Sequence, residues 1–133
     1  MDKQEIQIDW ARSKYLVMAH SQTHYNQMRQ LFKEQKTIYE FEEKYIKLRA
    51  EALKHEITTG AFTNTAQHMW GYFKKMASLE EKETVQENIQ DVEFNRIEQE
   101  IVLQNLRMLA MKYQVDYLLN SYFLFNENPL KTN

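Results

Sequence analysis

One stretch of the chain concentrates side chains able to hold an anion. At 100° per residue, Asn64, His68, Gly71 and Lys75 fall on one side of a helical segment, with Gln67 and Lys74 along its edge. Two adjacent ammonium groups beside an imidazole and two amides suit phosphate: the lysines supply charge, and the amides and ring supply directed N–H donors. Gly71 inside a helix costs about 1 kcal/mol relative to Ala, so a second helix or a ligand is expected to approach its backbone closely. His20 and His24 stand four apart, the spacing of two ligands on one helix face. Ser21 between them reads as a helix cap, no third ligand stands nearby, and the Glu of an H-E-x-x-H pair is missing, so no metal site is expected. There is no glycine-rich phosphate loop, no G-x-S-x-G and no cysteine. A cysteine-free chain cannot by itself ligate an iron–sulfur cluster, no cofactor is expected, and no residue is assigned a catalytic role.

These side chains need elements to hold them, and composition says which kind. Two glycines and one proline in 133 residues compare with roughly sixteen at average usage. Sandwiches, barrels and Rossmann folds draw heavily on both residues for turns. The expectation is an all-α fold: a single compact bundle of about six or seven helices with short connections, one domain over residues 1–133. The apolar spacing predicts a first helix over about Glu5 to Ala19, with Ile8, Ala11, Tyr15 and Met18 on one face. A second begins at Ser21 and carries Tyr25, Met28 and Phe32. A third starts at Thr37, presents Ile38, Phe41, Tyr45, Leu48 and Ala52, and is expected to close at Gly60 in a left-handed conformation.

The fourth helix is expected from about Thr63 to Ala77, with Phe62, Ala66, Met69, Phe73 and Met76 toward the core. Ser78 and Glu81 form a capping box that opens a fifth. Residues Asp91 to Asn95 suit either a turn or continued helix. A sixth helix over Arg96 to Tyr113 presents Val102, Leu106, Leu109 and Tyr113, widened by Ile97, Ile101 and Met108. Asp116 to Phe125 reads as a short last helix.

Charge is close to balanced, 17 Lys and Arg against 19 Asp and Glu, which is not the footprint of a protein that coats nucleic acid with positive charge. A basic patch then requires clustering, with Glu40, Glu42, Glu43, Glu80, Glu81 and Glu83 placed elsewhere. No stretch approaches ~18 consecutive apolar residues, and the charged start Met1-Asp2-Lys3-Gln4-Glu5 carries no apolar signal segment. A cytoplasmic location without membrane contact is expected.

The segment from Trp10 through Lys14, Tyr15 and His20 to His24-Tyr25 resembles the opening of the YbgA-like family, a bacterial domain family without an assigned function. Thr59-Gly60, Asn64, Gln67-His68, Gly71-Tyr72-Phe73-Lys74-Lys75, Ser78 and Glu81-Lys82 strengthen the likeness. The run Tyr117 to Leu124, with Pro129 and Asn133, extends it to the C-terminal part. Relatives occur alone and fused to TudS-like desulfidase domains, which use an iron–sulfur cluster to remove sulfur from thiolated uracils. The resemblance implies that the helical part binds RNA, tRNA above all, alongside a separate desulfidase. The residues it marks are Lys14, Tyr15, His20, Asn64, Gln67, His68, Tyr72, Lys74 and Lys75. Two alternatives stand beside a non-catalytic RNA-binding domain. One is a small enzyme or nucleotide-binding protein with a pocket around His20, His68 and Tyr72. The other is a structural or oligomerisation module with Gly71 buried at a contact.

Overall fold

The computed structural model describes residues 1–34 and 36–131, so Asn133 lies outside the described residues. Among them the chain is all-helical, without strands: α1 (Lys3–His20), α2 (Gln22–Leu31), α3 (Ile38–Leu53), α4 (Thr59–Trp70), α5 (Leu79–Glu93), α6 (Gln99–Lys112) and α7 (Asp116–Leu119). Side-chain caps start most of them, because a free hydroxyl or carboxylate satisfies an orphan N–H of the first turn. Ser21 ends α1 and caps α2, accepting from the His24 N–H. Thr37 caps α3, Thr58 caps α4, and full capping boxes open α1 (Asp2, Glu5) and α5 (Ser78, Glu81).

The helix ends depart from expectation, and both glycines are involved. Helix α3 stops at Leu53, and Gly60 sits in the first turn of α4 with open space where a β-carbon would stand. Helix α4 begins at Thr59, not Thr63, and stops at Trp70, not Ala77. Gly71 is therefore a C-cap, in ordinary right-handed backbone (φ −51°, ψ −29°). The nearest atoms a β-carbon there would meet are its own turn's His68 and Gln67 carbonyls, at 3.1 and 3.9 Å, and Gly71 is exposed, so it is not buried in an internal helix contact. Residues 71–76 continue as turns, which swings Met76 out to 45% exposure.

Two non-glycine residues take the left-handed role instead. Asn95 (φ 58°) follows α5, where the Arg96 N–H donates to the Asp91 carbonyl and the Asn95 N–H to that of Val92. Gln114 (φ 51°) follows α6, with the Val115 N–H on the Ala110 carbonyl. The expected final helix over Asp116 to Phe125 shortens to α7, then turns.

Twenty-seven buried apolar residues make one continuous core. Helix α1 packs against α2, α3 and α4, and α4 packs in turn on α5 and α6. With neighbours on three sides, α1 buries Ile6, Ser13, Tyr15, Val17, Met18 and Ala19, while Ile8 stays 53% exposed, contrary to the expected face. Likewise Ile101 and Met108 lie outside the core on α6. A polar clasp joins α1 to α3. Asp9 accepts from Tyr45 and pairs with Arg49 at 3.2 Å, and Arg49 donates to the buried Ser13 hydroxyl. The C-terminal segment closes on α1 as well: the Tyr122 N–H donates to the Arg12 carbonyl, and Arg12 Nε to the Asn120 carbonyl.

Candidate functional site

The closure of α7 on α1, together with the turn after α4, assembles a cluster of tyrosines around one lysine. Tyr15 projects from α1, Tyr72 from the turn and Tyr117 from α7. The Tyr72 and Tyr117 rings stack, with centroids 5.8 Å apart and planes within 14°. Tyr15 stands edge-on to both, at interplanar angles of 87° and 80°. Its hydroxyl donates to the Tyr72 hydroxyl at 3.1 Å. These are the offset-stacked and T-shaped geometries that aromatic quadrupoles favour.

Lys14 neighbours this cluster. Its Nζ lies 5.3 Å from the Tyr15 ring centroid and 5.1 Å from that of Tyr117, within cation–π range. Burial, reinforced by the Arg29 guanidinium, pulls its pKa below the ordinary lysine value. No carboxylate pairs with Lys14 among the described residues. Arg29 itself lies over the ring of Tyr25 on α2. Burial pushes the Tyr15 phenol well above its usual range and Tyr117 up to about 12, so both phenols stay neutral near pH 7. Such a site can attract an anion and stack a flat ring.

The family model described as "Protein of unknown function (DUF1722)" matches residues 14–127. The chain belongs to the DUF1722 family. YbgA-like domains carry DUF1722, so the likeness seen in the sequence holds at this level. No curated protein and no solved structure matches the chain.

On this DUF1722 fold the marked residues divide into groups. Lys14, Tyr15 and Tyr72 meet. Lys74 and Lys75 are exposed in the turn that carries Tyr72, without an ion-pair partner among the described residues. Two residues of backbone separate Lys74 from Tyr72, at most about 7 Å between α-carbons. Asn64 donates to the Gln22 side chain, and Gln67 exchanges a reciprocal amide pair with Gln86, at 2.8 and 3.0 Å, that ties α4 to α5. His68 is exposed and makes no hydrogen bond among the described residues. The outer face of α4 is thus partly a helix-linking face, and Lys74 and Lys75 have left it because the helix ends before them.

The histidines serve the junction of α1, α2 and α3. His20 Nδ1 lies 2.6 Å from the His55 carbonyl, which can only accept, so the ring proton sits on Nδ1. His24 Nδ1 lies 2.7 Å from the Ser21 hydroxyl, and its Nε2 faces Glu51 at 3.5 Å. No hydrogen bond or ring pairing joins His20 or His68 to Tyr72 among the described residues; His20 instead bonds the His55 carbonyl, which gives the alternative pocket around these three no support. Tyr117, Tyr25 and Arg29 join the cluster without having been assigned to a site. Their helical spacing reads as core packing or solvated charge, and only tertiary closure brings them beside Lys14.

Proposed function

We propose that this DUF1722 domain binds RNA, tRNA foremost, through the Lys14–tyrosine cluster and the neighbouring Lys74–Lys75 turn, without catalysing a reaction itself. The observation that carries this is Lys14: a half-buried ammonium beside Arg29, unpaired with any carboxylate among the described residues. A fold with a net charge of −2 has carboxylates to spare, and keeping them off this ammonium leaves its field for an outside anion. Phosphates supply such a charge at regular spacing, and the partly exposed rings of Tyr72 and Tyr117 beside them suit unpaired bases. Two of the carboxylates are paired with other cations, Glu42 with the N-terminal ammonium and Glu81 with Lys112. In this role the domain would hold thiolated RNA for a separate desulfidase, since a chain without cysteine supplies no cluster ligand.

The test is a mobility shift against bulk tRNA across a salt series. Affinity is expected to fall steeply with salt, and the Lys14→Gln/Lys74→Ala/Lys75→Ala variant to reduce the log–log slope by about 2. Absence of binding at low salt, or an unchanged slope in the variant, would falsify the proposal.

A further inference from the structure

A groove of about 380 Å³ runs between α1 and the C-terminal segment, and it shares Tyr117 with the tyrosine cluster. Its volume is within the usual range of small-molecule clefts. Ile8 and Ala11, one turn apart on α1, make one wall, and Tyr117 contributes an aromatic surface. The exposed Ile8 is an apolar side chain left in the mouth of a groove instead of in the core. Ala11 is small enough to keep the slot open. Cations surround it: Lys131 and Arg12 in the lining, and Lys14 on the Tyr117 ring. Arg12 is held in place, its guanidinium 4.4 Å from the Tyr122 centroid and its Nε on the Asn120 carbonyl.

The lining carboxylate decides which part of a ligand enters. Asp116 is exposed and forms no ion pair among the described residues. Inside the groove it repels a phosphate and accepts N–H donors, such as those on the edges of nucleobases. A groove with two aliphatic side chains, an aromatic ring, a carboxylate within and cations nearby matches a nucleobase joined to a phosphate. We propose that this groove takes one unpaired nucleobase of the bound RNA, packed between Ile8, Ala11 and the part of Tyr117 that lines the groove, with the adjoining phosphate on Lys14 and Lys131. The inference rests on the RNA-binding proposal above and adds to it that single-stranded RNA is the element recognised.

The experiment measures fluorescence anisotropy of the full chain with three labelled RNAs at low salt. They are a hairpin with a single-stranded loop, the same hairpin with an abasic loop, and a blunt duplex of equal length. The intact loop is expected to bind about ten-fold or more tighter than the abasic loop, in line with base–aromatic stacking. Ala11→Leu, which fills the slot, is expected to make intact and abasic loops equivalent while melting within a few degrees of the parent protein. Tyr117→Leu should do the same, and the Ala11 variant keeps the test decisive if Tyr117→Leu fails to fold. Equal affinity for intact and abasic loops in the parent protein overturns the base slot and leaves phosphate binding standing. Binding of none of the three RNAs overturns both proposals.

Discussion

Lys14 illustrates how a single residue trades stability for availability. A half-buried ammonium without a counter-charge is worse solvated than in the unfolded chain, which is why its pKa falls. Lys14→Met keeps the stem's packing against Tyr15 and Tyr117 and removes the charge. It is expected to raise stability by a few tenths to about 1 kcal/mol in a urea melt, at the small end because the ammonium retains solvent contact. The same variant should bind tRNA more weakly. A fall in both stability and binding would mean that Lys14 is a packing residue. At this scale the sequence showed which residues are polar and helix-borne, and the resemblance marked Lys14, Tyr15 and Tyr72 among nine residues without singling them out as a group. It could not show that Gln67 spends its amide on Gln86, because that partner lies on another helix. Nor could it separate Tyr117 from the other aromatics, since stacking on Tyr72 depends on how α7 returns to α1.

Helix starts were far more legible than helix ends. A capping hydroxyl followed by a Glu is a local signal, and Ser78 with Glu81 forms the box that their spacing predicts. Ends are set by tertiary contacts, and here the residues that usually announce them do other work: Gly60 begins a helix and Gly71 caps one in right-handed backbone. The left-handed turns fall to Asn95 and Gln114. Asparagine tolerates that region, whereas glutamine gains nothing from it and pays about 1 kcal/mol. Gln114→Gly is therefore expected to stabilise the protein by up to about 1 kcal/mol, the extra unfolded-state freedom of glycine offsetting part of the gain. A melting temperature several degrees higher is the measurement that supports it, and a lower one refutes it. The equivalent change at Asn95 should yield less.

Across the whole molecule, charge is distributed so that pH and salt act on different parts. Glu81 accepts from Lys112, from Tyr113 and from the Ser78 N–H, and these bonds, that of Lys112 first, hold its pKa down to about 2. In the unfolded chain a glutamate titrates near 4.3. Its contribution to stability is thus complete above about pH 4.3 and is lost as pH falls toward 2. Melting temperatures measured between pH 5 and 2 should fall, and Glu81→Gln should flatten that decline; an unaltered acid limb would rule out this origin. The proposed tRNA affinity should instead respond to salt, because the proposal rests it on Lys14, Lys74 and Lys75. The all-α class was readable from the scarcity of glycine and proline, as was the pairing of core faces such as Phe62, Ala66, Met69 and Phe73. The arrangement of α1 between α2, α3 and α4 was not, because a helix covered on three sides loses the one-sided stripe by which helices are recognised.

The stitching of Tyr122 and Asn120 to Arg12 has a temporal consequence. Contacts that span more than a hundred residues close only after the last helix has been synthesised. Until then the α1 side that meets Tyr117 has no cover, and the tyrosine cluster lacks one of its three rings. On the ribosome, folding of the first six helices would precede completion of the cluster, so the lysine and its aromatic surroundings come together only once α7 has emerged. A nascent chain that stops short of α7 therefore lacks the assembled surface.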